Sequence, residues 1–396
     1  MTIRYAGKRF TGSGGRWPGL FIGLFMLFIA GPVFAQDPGD LLEMPAEKSE
    51  RAANSILMDI QCVNGKIFTV GERGFILRSD SACNDWDQAD VPVSVTLTAV
   101  HFPTTEKGWA VGHDGVILHS EDGGRTWVKQ LDGRKINDLI FAQLKQMIRE
   151  KTAMLEDENS GLDEDAKETL KIEIEDLGFF LSDVELAVEE GPTRPLMDVW
   201  FKNEREGLVI GSFGMIFRTD DGGKHWKPLL DQIYNPYGYH FYGITRCGSD
   251  LFMAGEGGML FRSEDFGRTW KALESPYEGS FFGIVADPGG GFVAAYGLRG
   301  HMYMSRDRGE TWSALDTGMT ASISGGLLLS DGSLCIAGVD GYVMRSIDGG
   351  KTFSRLPVRF PGSISLAEPE ENVLMVVGLR GYTRIDLNDP IRREKG

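Results

Sequence analysis

A tetrad of the form Gly-x-x-Gly recurs along this chain at a spacing that leaves few folds open. It stands at Gly71/Gly74, Gly112/Gly115, Gly211/Gly214, Gly255/Gly258, Gly297/Gly300, Gly338/Gly341 and Gly378/Gly381. Successive first glycines are 41, 99, 44, 42, 41 and 40 residues apart, so one interval carries a long insertion. A second signature, S/T-x-D-x-G, follows the tetrad at Ser120–Trp127, Thr219–Trp226, Ser263–Trp270, Ser305–Trp312 and Ser346–Phe353, with a degenerate copy at Ser79–Trp86. A repeat near forty residues with room for four short strands is the signature of propeller blades. Seven tetrads predict an all-β chain, a seven-bladed β-propeller with an inserted α-helical hairpin.

One unit, residues 111–131, shows the local physics. The glycines frame a tight turn, after which Val116, Leu118 and Ser120 alternate with Ile117 and His119, the pattern of a half-buried strand. In the turn that follows, Asp122 accepts backbone N–H groups, Gly124 supplies a left-handed conformation, and Trp127 anchors the turn between neighbouring sheets.

The propeller spans 55–386, preceded by a linker at 36–54 and followed by a tail at 387–396. The last unit has its glycine tetrad but no second signature, so it lacks an outer strand. Residues near 41–47 are expected to supply that strand and close the ring, because an open sheet edge invites pairing with other chains. The insertion, 133–194, changes period. Ile136, Ile140, Leu144, Met147 and Leu155 fit one helical face, and Ala166, Leu170, Ile174, Leu177, Leu181, Val184 and Val188 fit another, with Asn159-Ser160-Gly161 between them. Between Arg134 and Glu190 it carries seven basic and sixteen acidic residues.

Residues 1–35 read as a cleavable signal peptide: basic residues ending at Arg16, an apolar run Leu20–Ala30, and a small-x-small site at Val33-Phe34-Ala35. The mature chain is then expected in a bacterial periplasm. Its formal charge of −16 becomes about −20 once the four N-terminal cations are removed, which argues against nucleic-acid binding. Export permits disulfides. Cys62, read into the first hairpin turn of the first blade, and Cys83, in the degenerate turn, lie at one end of the blade and form the disulfide candidate. Cys335, between Leu334 and Ile336, reads as a buried apolar residue.

No nucleophile elbow, phosphate loop or metal-ligand spacing is present, so the sequence implies no catalytic residue, no metal and no cofactor. The repeated Asp turns invite comparison with sialidases, but the arginine triad, Tyr/Glu pair and acid Asp of that chemistry have no counterpart pattern. Glycan binding or cleavage of the sialidase type is therefore the alternative function. The glycine turns themselves are more informative. They bring Arg73, Arg299 and Arg380 to one rim of the disc, with His113 and Asp114 in the turn of the second blade. Connections between blades open on the same face, so the helical hairpin should overhang it. These residues form the candidate partner-binding set, set against simple pairing of each arginine with Glu72, Asp114 or Asp340.

The phrases GWAVGHDGVILHSEDGGRTW (Gly108–Trp127) and GMLFRSEDFGRTWKAL (Gly258–Leu273) resemble the repeat of the photosystem II stability and assembly factor family, within the BNR/Asp-box group. That resemblance implies an exported, non-enzymatic propeller whose arginine-rich face engages membrane-protein clients. Related propellers occur in non-photosynthetic bacteria, where the resemblance suggests a membrane protein or envelope transport complex as partner, an RND-type transporter among the candidates. The long insertion departs from the plant-type pattern.

Overall fold

The computed structural model describes residues 39–80, 85–233 and 235–388. Its strands form seven antiparallel sheets, six of four strands and one of three. The inner strands are Leu57–Val63, Leu97–His101, Leu196–Phe201, Phe241–Cys247, Phe281–Ala286, Ile323–Leu328 and Ser363–Glu370, each opening a blade, numbered here 1 to 7. Within each blade the strands follow sequence order outwards, so every glycine tetrad turns the second strand into the third. Successive antiparallel strands place those turns and the inter-blade connections on one face. The first and third hairpin turns lie on the other.

The ring closes between blades 7 and 1 without exchanging a strand. One apolar cluster joins Leu57, Ile60, Ile67, Phe75 and Leu77 of blade 1 to Ala367, Met375 and Val377 of blade 7. At the axis, Ser365 donates its hydroxyl to Asp59 at 2.8 Å, and the other Asp59 oxygen accepts Val100 N–H of blade 2 at 3.0 Å. The device recurs around the shaft. Gln61 accepts Phe102 N–H at 2.6 Å, His101 accepts Phe201 N–H at 3.2 Å, and Asp198 accepts Ile244 N–H at 2.9 Å. Inner-strand side chains of blades 1, 2 and 3 thus tie to the backbone of the next blade, satisfying donors that twist would leave unpaired.

The expected closing strand is a correction. Blade 7 ends with Gly381–Asp386 as its outermost strand among the described residues. Residues 40–49 instead lie along the connection between blades 1 and 2, where Ala46 N–H donates to Val91 O at 3.0 Å and Ser94 N–H to Leu41 O at 2.8 Å. Leu42 is buried against Val91, Val93 and Val95. The physical reason is the connection that follows blade 1, where Val91, Val93 and Val95 form an apolar strip that Leu42 covers. Burying apolar surface there gains more than pairing a short polar edge.

A second difference concerns the strands. Ile117–Ser120 is buried on both faces rather than one, with Ile117 and Leu118 each fully enclosed. Each blade is sandwiched between two others, so alternation in sequence does not mean exposure. His119 stacks on Trp109 in that layer. Cys335 is buried as expected, and Cys62 lies within its strand, paired with Ile67, rather than in the turn Asn64-Gly65. Its proposed partner Cys83, like residues 1–35 and most of the tail, lies outside the described residues.

The insertion folds as two helices, α1 (Gly133–Glu156) and α2 (Glu164–Glu190). Asp132 and Asp163 cap their N-termini by accepting Arg134 and Ala166 N–H. Ile136, Ile140, Leu144 and Val184 join a cluster with Leu196, Val209 and Met215 of blade 3, so the hairpin lies on the propeller. Val188, assigned to the apolar face by spacing, is half exposed.

Candidate functional site

The face that carries the hairpin is built by the glycine turns, and their geometry explains the tetrad. In blade 1, Gly71 is extended, and a Cβ there would stand 2.0 Å from Ile56 O. Gly74 is left-handed at φ +71°, and a Cβ there would meet Val93 O at 2.1 Å. Both glycines are therefore required by backbone passing close by, on the way into the blade and out of it. Five of the seven turns share a left-handed residue just before the second glycine: Arg73, Asp114, Phe213, Gly257 and Arg299. In blades 6 and 7 the turn is shorter, and Asp340 and Arg380 keep negative φ.

The turn places each of these side chains at the rim. Arg73, Arg299 and Arg380 are exposed, and none of them forms an ion pair among the described residues. The carboxylates beside them are occupied otherwise. Glu72 accepts Ile56 N–H at 3.1 Å, and Asp340 accepts Tyr342 N–H at 3.4 Å. In ring order blades 7 and 1 are neighbours and blade 5 lies two places from blade 7, so the arginines span an arc rather than a point.

His113 and Asp114 stand on the same face at the root of the hairpin, where Asp114 O packs beside Gly133, the first residue of α1. Burial raises the Asp114 carboxyl above its usual range, and the nearby Asp40 carboxylate adds to the effect, while His113 and Arg134 oppose it. Asp40 pairs with Arg134, and Glu43 pairs with Lys129 at 2.6 Å, so the segment before blade 1 bridges to the hairpin.

Three features of this face escaped sequence reasoning. Val339 and Leu379, both about half exposed, interleave with the arginines of blades 5 and 7. Arg359, at the end of the outer strand of blade 6, is also exposed and without an ion pair; its Nε donates to Asp340 O at 3.2 Å and its guanidinium lies 5.0 Å from the Tyr342 ring centroid. The signal for the apolar pair was available, since the variable turn positions read Val-Asp and Leu-Arg. Third, a cavity of about 410 Å³ opens between the hairpin and blade 3, lined by both helices, Phe213, Leu230, Asp231, Ile233, Asn235 and Pro236.

The opposite face is chemically different. Its Asp turns are closed hydrogen-bond networks. Asp307 accepts Thr311 N–H at 2.9 Å and Thr311 Oγ1–H at 2.6 Å, and Ser305 Oγ–H donates to it at 2.8 Å. These bonds, the Thr311 hydroxyl foremost, hold its carboxyl at about 2. In blade 3, His225 replaces the threonine and contacts Asp221 at 2.6 Å. These carboxylates are turn formers, each held by hydrogen bonds within its own turn.

Between the faces, the shaft buries two acids. Burial pushes the Asp198 carboxyl up to about 7, with Asp59 adding to it, and burial likewise raises Asp59 and the Tyr296 hydroxyl. Both carboxylates are engaged with backbone N–H groups of adjacent blades, which fits a ring-holding role. Among the described residues no group of His, Cys, Asp and Glu is arranged to hold a metal ion.

Comparison with known proteins follows the same lines. A family model described as photosynthesis system II assembly factor YCF48 matches residues 78–150 and 179–335, more than half of the chain, and its gap falls within the hairpin. The chain is 28% identical over 115 residues to the chloroplastic photosystem II stability/assembly factor HCF136 of Guillardia theta, a stretch spanning 28% of this chain and 29% of that protein. Its fold is similar to YCF48 bound to a D1 peptide, with TM-score 0.56, 16% identity, and 85% of this chain and 94% of that one covered. It is also similar to a GH74 enzyme of Niastella koreensis, with TM-score 0.57, 12% identity, and 85% and 53% covered. At such identities the structural likeness speaks for the propeller alone.

Proposed function

We propose, from the premise that the chain belongs to the YCF48 family of photosystem II assembly factors, that it is a non-enzymatic scaffold that holds a segment of a membrane-protein partner on its glycine-turn face. The observation that carries this reading is the set of exposed arginines there, Arg73, Arg299 and Arg380, which form no ion pair among the described residues of a chain of formal charge −16. An anionic segment of a partner would find fixed cations there, interleaved with the exposed Val339 and Leu379. Such charges contribute orientation and selectivity more than raw affinity. The solved relative in complex with a D1 peptide supports the choice of a peptide segment as ligand.

The reading takes residues 1–35 as an export signal and the bacterial periplasm as the place of action, with an envelope transport complex of the RND type as the specific partner. Its support is the basic-then-apolar pattern of those residues. Cell fractionation of the full chain tests it: recovery in the cytoplasm in uncleaved form removes it.

The binding claim is tested by replacing Arg73, Arg299 and Arg380 with Glu and measuring what the mature protein captures from detergent-solubilised membranes. Capture of the membrane-protein partner should fall at least about tenfold, a change of about 1.4 kcal/mol. Undiminished capture by the folded triple variant overturns it.

A further inference from the structure

The cavity between the hairpin and blade 3 lies away from the arginine arc and is assigned to nothing above. Its volume of about 410 Å³ falls within the range of ligand pockets, roughly 300–1,000 Å³. Its walls are apolar: Leu144, Met147 and Met154 from α1, Leu177 and Phe180 from α2, and Phe213 from the turn of blade 3. The methionines suit a site that adapts its shape to a peptide.

Two observations point to an occupant. The first is Phe213. It occupies the left-handed turn position at φ +54°, where a bulky residue costs on the order of 1 kcal/mol or more. The matching position in blade 4 is Gly257. The strained turn holds an aromatic ring 44% exposed at the cavity mouth, with the Arg194 guanidinium stacked 4.5 Å from its centroid. Met154, 52% exposed, lines the cavity from the helical side.

The second observation is charge. Both cations lining the cavity are already engaged: Lys151 pairs with Glu173 at 2.6 Å and Arg194 with Asp183 at 2.6 Å. The carboxylates of Glu150, Asp176 and Asp231 also line it and have no cationic partner among the described residues. Glu150 accepts an amide donor from Gln146 at 2.8 Å, and Asp231 accepts amide donors from Gln143 at 2.9 Å and Gln232 at 2.7 Å. The rim therefore presents uncompensated negative charge around an apolar floor, on a hairpin with sixteen acidic and seven basic residues.

We propose that this cavity is a second docking site, for an apolar peptide segment of the partner that carries flanking lysine or arginine. It deepens the scaffold reading and rests on it: one face holds an anionic segment on the arginine arc and a basic apolar one under the hairpin. The family model skips residues 151–178, which supply Lys151, Met154, Glu173, Asp176 and Leu177 of the lining, so that part of the site is not shared with the family repeat.

The test uses the mature full chain and a fluorescein-labelled peptide of leucine, phenylalanine and alanine flanked by lysines, read by anisotropy. A control peptide has the same apolar core flanked by glutamates. Phe213→Gly removes the aromatic anchor at a position where glycine relieves strain, so the variant folds; Glu150→Lys with Asp176→Lys reverses the rim. The lysine peptide should bind saturably and at least about tenfold more tightly than the glutamate one. Both cavity variants should weaken it about tenfold or more, while the triple arginine variant leaves it unchanged. That last arm separates failure of this site from failure of the arginine arc. The proposal is overturned by equal binding of both peptides, by binding indifferent to the cavity variants, or by saturable binding to phosphatidylcholine vesicles that the lysine peptide does not compete.

Discussion

The two faces of the disc use arginine in opposite ways. On the Asp-turn face, Arg218, Arg262, Arg308 and Arg345 all bond carboxylates. Asp250 of blade 4 is the clearest case, fully enclosed and bonded by Arg262 Nε at 2.6 Å and by Arg308 of blade 5 at 2.7 Å. On the glycine-turn face, Arg73, Arg299, Arg359 and Arg380 have no such partners among the described residues. The first set is structural mortar, within blades at Arg218 and Arg345 and between blades 4 and 5 at Arg262 and Arg308. The second is charge held at fixed positions by a rigid ring and left available. Residue type alone does not separate these roles; only the presence of a carboxylate within reach does.

The comparison breaks most sharply at Asp250. Asp250→Ala removes the buried carboxylate shared by Arg262 and Arg308 and leaves Arg262, itself only 7% exposed, with the exposed Glu264 and Glu310 alone. Removing one partner of a buried pair costs about 3–5 kcal/mol. Urea unfolding should show that loss, while capture of the partner on the far face is retained. A loss within experimental error would mean that the Asp-turn face is as dispensable to folding as the other.

An intermediate effect is expected from the shaft, where charge is neither paired with a cation nor exposed. Asp198 has an ordinary carboxyl value of 3.8 when unfolded and about 7 when folded. A raised carboxyl favours the folded state at low pH, and that contribution is lost as pH climbs through the folded value. Wild type should therefore lose stability relative to Asp198→Asn between about pH 4 and pH 7, with a flat difference above. Thermal melts of both proteins across that range check the sign. A difference curve that rises with pH contradicts the burial assignment.

The smallest effect sharpens the contrast. With Arg73, Arg299 and Arg380 all changed to Glu, unfolding free energy should shift by no more than about 0.5 kcal/mol per site, as for exposed positions. A shift approaching that of Asp250→Ala would show that these arginines also hold the fold, and the distinction between the faces would fail.

Much of this architecture was legible in the sequence because a propeller is a local repeat. The glycine tetrads at Gly71/Gly74 and onward, and the Asp turns such as Ser305–Trp312, fix strand direction through hydrogen bonds and left-handed residues within a few positions of one another. The helical hairpin was equally readable, since Ile136, Ile140, Leu144 and Leu170 through Val184 carry their period in plain order. Arginine placement at the rim followed from turn position alone. What the sequence could not contain was which groups meet across blades. Residues 40–49 went to the valine-rich connection beside blade 1, rather than to the edge of blade 7, because of an apolar strip there that Leu42 covers once the sheets are assembled. Asp59 meets Ser365 across more than three hundred residues, and Phe213 lines one cavity with Leu177 and Phe180 only because the hairpin folds back over blade 3. Turn chemistry acts over a few residues, whereas burial and ion pairing depend on neighbours that only the closed ring brings together.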